Sequence, residues 1–185
     1  MLHRAAASRS SVARDTAKVT ELIRSAIPGD VDAMAAMASA RRTQYALYQP
    51  VFWAPAPNAE ELQKPYFAKL VGDQDVITLV AEDSGTVTGF VIAMITGAPP
   101  VYNPGGRTCQ IDDFVVAPGR WQSTGTQLLA AALERAADRG AVQAVVVTAH
   151  LDADKREALR ASGLSIASEW WVTPRLSQRP GVEGS

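Results

Sequence analysis

Between residues 19 and 175, short β-rich apolar runs alternate with stretches whose apolar side chains recur every three or four positions. Residues 21–26 read as a short strand ended by Pro28-Gly29. Asp30 then stands as the N-cap of a helix with Val31, Met34, Met37 and Ala38 on one face. Asn58 followed by Glu61 marks a second helix start, with Leu62, Tyr66 and Leu70 at spacing four and Pro65 predicting a kink. Residues 76–81 and 87–95 read as strands joined at Asp83-Ser84-Gly85, and 108–116 as a third strand after the Pro-Gly-rich turn 103–107. Thr124 and Gln127 form a capping box for a helix lined by Leu128, Ala132 and Ala136, with Leu129 and Leu133 beside them and Arg139-Gly140 at its end. A buried-type strand over 142–148, a short helix over 154–161 ended by Gly163, and a last strand over 166–172 complete the pattern.

The order β-α-α-β-β-β-α-β-α-β predicts a single α/β (α+β) domain over residues 19–175. Its expected architecture is a central mixed, mostly antiparallel sheet with helices on both faces. Residues 1–18 are rich in Ala, Ser and Arg with Asp15 as the lone acid, and read as a flexible leader with the composition of a plain extension or a transit peptide. Residues 176–185 read as a flexible tail.

A length of 185 residues suits one domain with a real core. The 18 Lys plus Arg against 19 Asp plus Glu leave a net charge of −1, without the basic surplus that duplex nucleic-acid binders use, so no nucleic-acid partner is expected. No apolar run approaches the roughly 20 residues that span a bilayer, which predicts no membrane association and a cytoplasmic protein. Cys109 is the single cysteine and His3 and His150 are the only histidines, so neither a disulfide nor a Cys- or His-based metal site is expected. Acid–base chemistry therefore falls to carboxylates, hydroxyls and backbone.

The informative segment is 111–129: a strand, a tight Pro118-Gly119 turn, a small-residue loop and a helix start. Free N–H groups at a helix N-terminus bind phosphates, Ser123, Thr124 and Gly125 are small, and Arg120 adds a charge-assisted contact. The segment reads either as a pyrophosphate site or as an ordinary strand-to-helix turn whose hydroxyls cap the helix. It is neither a Walker loop nor a dinucleotide fingerprint.

The same segment resembles the acetyl-CoA-binding motif of the GNAT (GCN5-related) N-acetyltransferases. Arg120 falls on the motif's Gln/Arg position, Ser123 on its first Gly and Gly125 on its last, with Leu128-Leu129 in register behind. The resemblance implies that Phe114, Val115 and Val116 hold the pantetheine arm and that Arg120, Trp121, Gln122, Ser123, Thr124, Gly125 and Thr126 wrap the pyrophosphate of acetyl-CoA. This chain departs from the motif at Pro118, one residue closer to Arg120 than usual, and at Trp121 and Ser123, which replace glycines.

Amide formation from an amine and a thioester needs a base for the ammonium and donors for the oxyanion. Asp112 and Asp113 are adjacent on the motif's strand, and alternation turns only one towards an acceptor. Similarity to the diamine and polyamine branch of the family makes Asp112 the preferred base. The position where the family often carries a proton-donating Tyr is Leu159 here, which leaves Tyr102, Tyr45, Tyr48 or solvent as the acid. Tyr45, Tyr48, Phe52 and Trp53 lie in the aromatic, proline-rich stretch 41–55, read as the connection between the first two helices. The family's architecture implies that this connection walls the acceptor site; a packed loop or a dimer contact is the alternative. Trp170-Trp171 read as core or interface residues.

The expected activity is acetyl transfer from acetyl-CoA to a primary amine, of a small molecule or a protein, by direct attack, in a possible homodimer. The alternatives are a weak or inactive acyl-CoA-binding regulator on the same fold, and a protein-interaction module.

Overall fold

A computed structural model describes residues 21–98 and 100–173. The expected leader over 1–18 and tail over 176–185 lie outside the described residues. The elements are β1 (Leu22–Ser25), α1 (Val31–Tyr48), α2 (Ala59–Gly72), β2 (Val76–Asp83), β3 (Thr86–Thr96), β4 (Arg107–Val116), α3 (Thr126–Asp138), β5 (Ala141–Val146) and α4 (Ala153–Ala161). One sheet runs in the order β1-β2-β3-β4-β5, antiparallel until the parallel pairing of β4 with β5.

Strand alternation divides the core into two layers. Leu79, Val91, Ala93 and Phe114 face α3 and α4, packing with Leu128, Leu129, Ala132 and Leu159. Val80, Phe90, Ile92 and Val115 face α1 and α2, packing with Met34, Ala35, Phe67 and Leu70. The helices therefore cover both faces, as the pattern predicted. The β2–β3 hairpin closes on Ser84 and Gly85, whose φ of 52° and 80° give the two left-handed positions that a tight two-residue turn needs.

Several local expectations are corrected. The first helical run starts earlier, as a 3-10 turn over Pro28–Asp30. Asp30 is thus inside it, and its carboxylate accepts from the Ile27 N–H (2.8 Å) and the Arg24 guanidinium (2.7 and 2.9 Å) instead of capping α1. Helix α1 continues to Tyr48, so the stretch read as a connection is helical over its first half. On α2 the buried face is centred on Phe67 and Leu70, while Leu62 and Tyr66 are half exposed, and the helix runs on through Pro65.

Thr124 is no N-cap, because a π-helical turn over Trp121–Gly125 precedes α3; its hydroxyl donates to Glu21 Oε2 at 2.5 Å. Strand β5 is an edge strand with Val142 and Val145 exposed, not a buried one. The expected last strand over 166–172 does not form: it pairs with no strand among the described residues, and Trp170 and Trp171 are exposed and not part of the core. Among the described residues no helix is long and apolar enough to cross a membrane.

Candidate active site

β4 and β5 are paired from Arg107↔Ala141 to Ile111↔Val146, and a last bond joins the Val147 N–H to the Ile111 carbonyl (2.9 Å). Beyond it the two strands part. β4 stays with β3 through Phe114↔Val91, Val115↔Phe90 and Val116↔Gly89, and a bulge sets both Asp112 and Asp113 against Ile92. The outer edge of β4 from Asp112 to Val116 consequently has no strand partner among the described residues. The Phe114 carbonyl faces this open edge, where it accepts from Lys155, and Val116, two residues on, presents its backbone to the same side. The Ala117 N–H, one further, bonds back to Thr88 on β3 at 2.8 Å.

The bulge sits where the two acids stand. Asp112 is exposed and accepts from Gln110 Nε2 at 2.9 Å. Asp113 is turned inward and half-buried. Burial first, and then the charge of Asp112, push its carboxyl above the ordinary range, against the pull of Lys155 and Arg42. The inward carboxylate is therefore Asp113, not the preferred Asp112.

Lys155 fills the fork. It lies in the first turn of α4, whose cap Asp152 accepts the Lys155 N–H, and it is 2% exposed. Its Nζ donates to the carbonyls of Phe114 on β4 (3.2 Å) and Val147 after β5 (2.8 Å), and lies over the rings of Phe114 and Trp121. Burial, followed by the charge of Arg41, pulls its pKa down to about 7, while Asp152, Asp113 and Asp112 act in the other direction. Arg41 pairs with Asp152 (2.7 Å) and spreads its guanidinium over Tyr45 and Trp121. The Tyr45 hydroxyl donates to Asp152 (2.9 Å), and burial pushes that phenol above its usual range.

The expected phosphate loop is partly occupied by its own contacts. Trp121 is buried edge-on to Phe114, and a Cβ on Gly125 would lie 2.7 Å from the Trp121 ring, so the glycine is required by packing. The Arg120 guanidinium is held by Glu21 (2.9 Å) and Asp83 (3.2 Å). Thr126 Oγ1 donates to the carbonyls of Gln122 and Ser123, and Thr124 is committed to Glu21. Gln122 and Ser123 remain exposed on the helix start. The open β4 edge and this helix N-terminus fit a CoA-type donor, which needs backbone partners for its arm and N–H groups for its phosphates. The Val115 side chain lies in the opposite core layer and the Arg120 charge is already paired, so neither side chain adds to that fit.

Tyr45, Tyr48, Phe52 and Trp53 do gather. Tyr45 lies 5.9 Å from Tyr48 and 5.0 Å from Trp53, and Phe52 meets Trp53 at 4.7 Å and Trp170 at 5.8 Å. Arg41 links this cluster to Trp121 and the fork. Tyr102 does not join it: it is 71% exposed in the loop before β4. Cys109 packs in the core, and His150 is exposed.

Sequence reasoning missed Arg41, Arg42, Asp152 and Lys155. One signal was present, since Lys155 shares a helical stripe with Ala158 and Leu159 and so puts a charge at a buried position. Arg42 bonds Gln63 through Nη1 (2.8 Å) and leaves Nη2 buried without a partner among the described residues.

The model of the acetyltransferase (GNAT) family matches residues 37–161. No curated protein matches the chain in sequence. Among solved structures, a predicted acetyltransferase from Clostridium acetobutylicum with acetyl-CoA superposes with a TM-score of 0.64 at 18% identity, over 84% of this chain and 96% of that one. An aminoglycoside N-acetyltransferase in complex with CoA gives 0.62 at 14% identity over 86% and 96%, and a ribosomal-protein-alanine N-acetyltransferase from Brucella melitensis biovar Abortus 2308 gives 0.59 at 18% over 84% and 100%. At these identities the structures share the fold, and the family match carries the assignment. The chain belongs to the acetyltransferase (GNAT) family and is an acyltransferase whose acetyl donor is acetyl-CoA.

Proposed function

We propose that the protein transfers the acetyl group of acetyl-CoA to a primary amine by direct attack, with Asp113 as the base. The observation that carries this reading is the inward, half-buried carboxylate of Asp113 beside the open edge of β4. A carboxyl whose affinity for protons is raised by burial takes a proton from an ammonium more readily than an exposed one. The donor's arm takes backbone partners at Phe114 and Val116, and its phosphates lie on the helix start at Gln122 and Ser123. The aromatic set Tyr45, Tyr48, Phe52 and Trp53 walls the acceptor side, where stacked rings suit a cationic amine.

Paired measurement of Asp112→Asn and Asp113→Asn tests the assignment. Asp113→Asn is expected to lower kcat by about 10²-fold or more, with CoA affinity retained, while Asp112→Asn stays near wild type. The reverse order would return the role to Asp112. The exposed apolar residues Val142 and Val145 on β5, with Trp170 and Trp171, support a self-associating protein, and sedimentation reads this directly.

A further inference from the structure

We propose that Lys155 is the catalytic residue that protonates the thiolate leaving the acetyl donor at the β4–β5 fork. This rests on the reading that the donor lies along the open edge of β4. The fork is the point where that edge begins, and the Lys155 ammonium stands in it, bonded to one carbonyl from each diverging strand, Phe114 and Val147. Leu159, four residues on and buried on the same face of α4, has no proton to give. Tyr45 is committed to Asp152, and Tyr102 is exposed in its loop.

The charged groups facing Lys155 are Asp112 and Asp113 on β4, Arg41 on α1 and Asp152 ahead of α4. Buried among them, the ammonium releases its proton near neutrality, which suits exchange with a thiolate. The step balances. The acceptor's nitrogen lone pair forms the C–N bond, and the C–S bond breaks with its pair going to sulfur. The Lys155 ammonium then gives sulfur a proton. The proton shed by the acceptor nitrogen leaves through Asp113 to water, and Lys155 regains one from water.

The test titrates the thiol of CoA bound to the wild-type protein through its thiolate absorbance, beside free CoA. The bound thiol is expected to ionise about 1–3 units below the free one, because the thiolate and the Lys155 ammonium titrate as a pair and each stabilises the charge of the other. Lys155→Met loses the shift, and Lys155→Arg keeps it because its charge remains. Both variants lose kcat by roughly 10²-fold or more, since neither supplies an exchangeable proton near neutral pH. An unshifted thiol in the wild type, or full kcat in Lys155→Met, overturns the proposal while leaving the donor site intact. Acetylation of Lys155 itself by acetyl-CoA, read by mass, would make it an acceptor and overturn the role. CoA that fails to bind wild-type protein removes the donor reading and this one with it.

Discussion

Arg41 and Asp152, 111 residues apart in the chain, form a 2.7 Å ion pair that ties α1 to the head of α4 across the open end of the sheet. The two helices otherwise belong to opposite core layers. The pair is almost fully buried, at 12% and 4% side-chain exposure, and Asp152 also accepts the Tyr45 hydroxyl and the Lys155 N–H. It therefore positions both the aromatic cluster and the lysine in the fork.

Removing one partner strands the other charge. Asp152→Ala is expected to cost about 3–5 kcal/mol, or roughly 6–20 °C in Tm for a domain of this size. Urea and thermal unfolding measure it. A loss within the range of a surface substitution would show that the pair is not what holds α1 to α4.

The pH dependence of stability separates two carboxylates. Burial raises the Asp113 carboxyl above its ordinary range, so the folded state holds its proton more tightly than the unfolded state. Its contribution is present below the unfolded value and lost as pH rises through the folded one. Asp113→Asn should then be more stable than wild type at neutral pH, with the gain vanishing in acid. Asp30 is lowered, first by its bonds to Arg24, so its contribution is present above the unfolded value and lost as pH falls through the folded one. Asp30→Asn should flatten the acid limb. Urea unfolding at acid and neutral pH reads both signs.

Gly125→Ala forces a methyl group to within 2.7 Å of the Trp121 ring. The expected cost is about 1–3 kcal/mol of stability, together with weaker CoA binding as Trp121 shifts at the helix start. Trp121→Leu in the same background should recover part of the stability; no recovery would place the strain elsewhere.

How much was legible in the sequence follows the range of the contacts involved. The β2–β3 hairpin and the stripe Leu128, Leu129, Ala132 and Ala136 are local patterns, and both stood where the sequence placed them. The residues 166–172 have strand-like composition, but a strand needs a partner, and composition does not reveal that β5 is left without a second one among the described residues. Arg120 looked free for a phosphate because Glu21, which takes its charge, is 99 residues away. Which of Asp112 and Asp113 turns inward depended on a bulge against Ile92, again a pairing across strands. Tyr45 and Trp53 were found because they are close in sequence, whereas the packing of Trp170 on Phe52 was not visible.

The central claim is that the donor binds on the open edge of β4, and Val116→Pro tests it most directly. The substitution removes an N–H that faces this edge and leaves the ladder to β3 in place. Thermal unfolding is measured for both proteins with and without acetyl-CoA. At about 100 times its Kd the ligand stabilises wild type by about 2.7 kcal/mol, a rise of roughly 5–10 °C. The account predicts this rise in wild type and its loss in Val116→Pro, each read against the same protein's ligand-free midpoint, since Val116 is also a core residue. An equal rise in both proteins, or none in wild type, would contradict it.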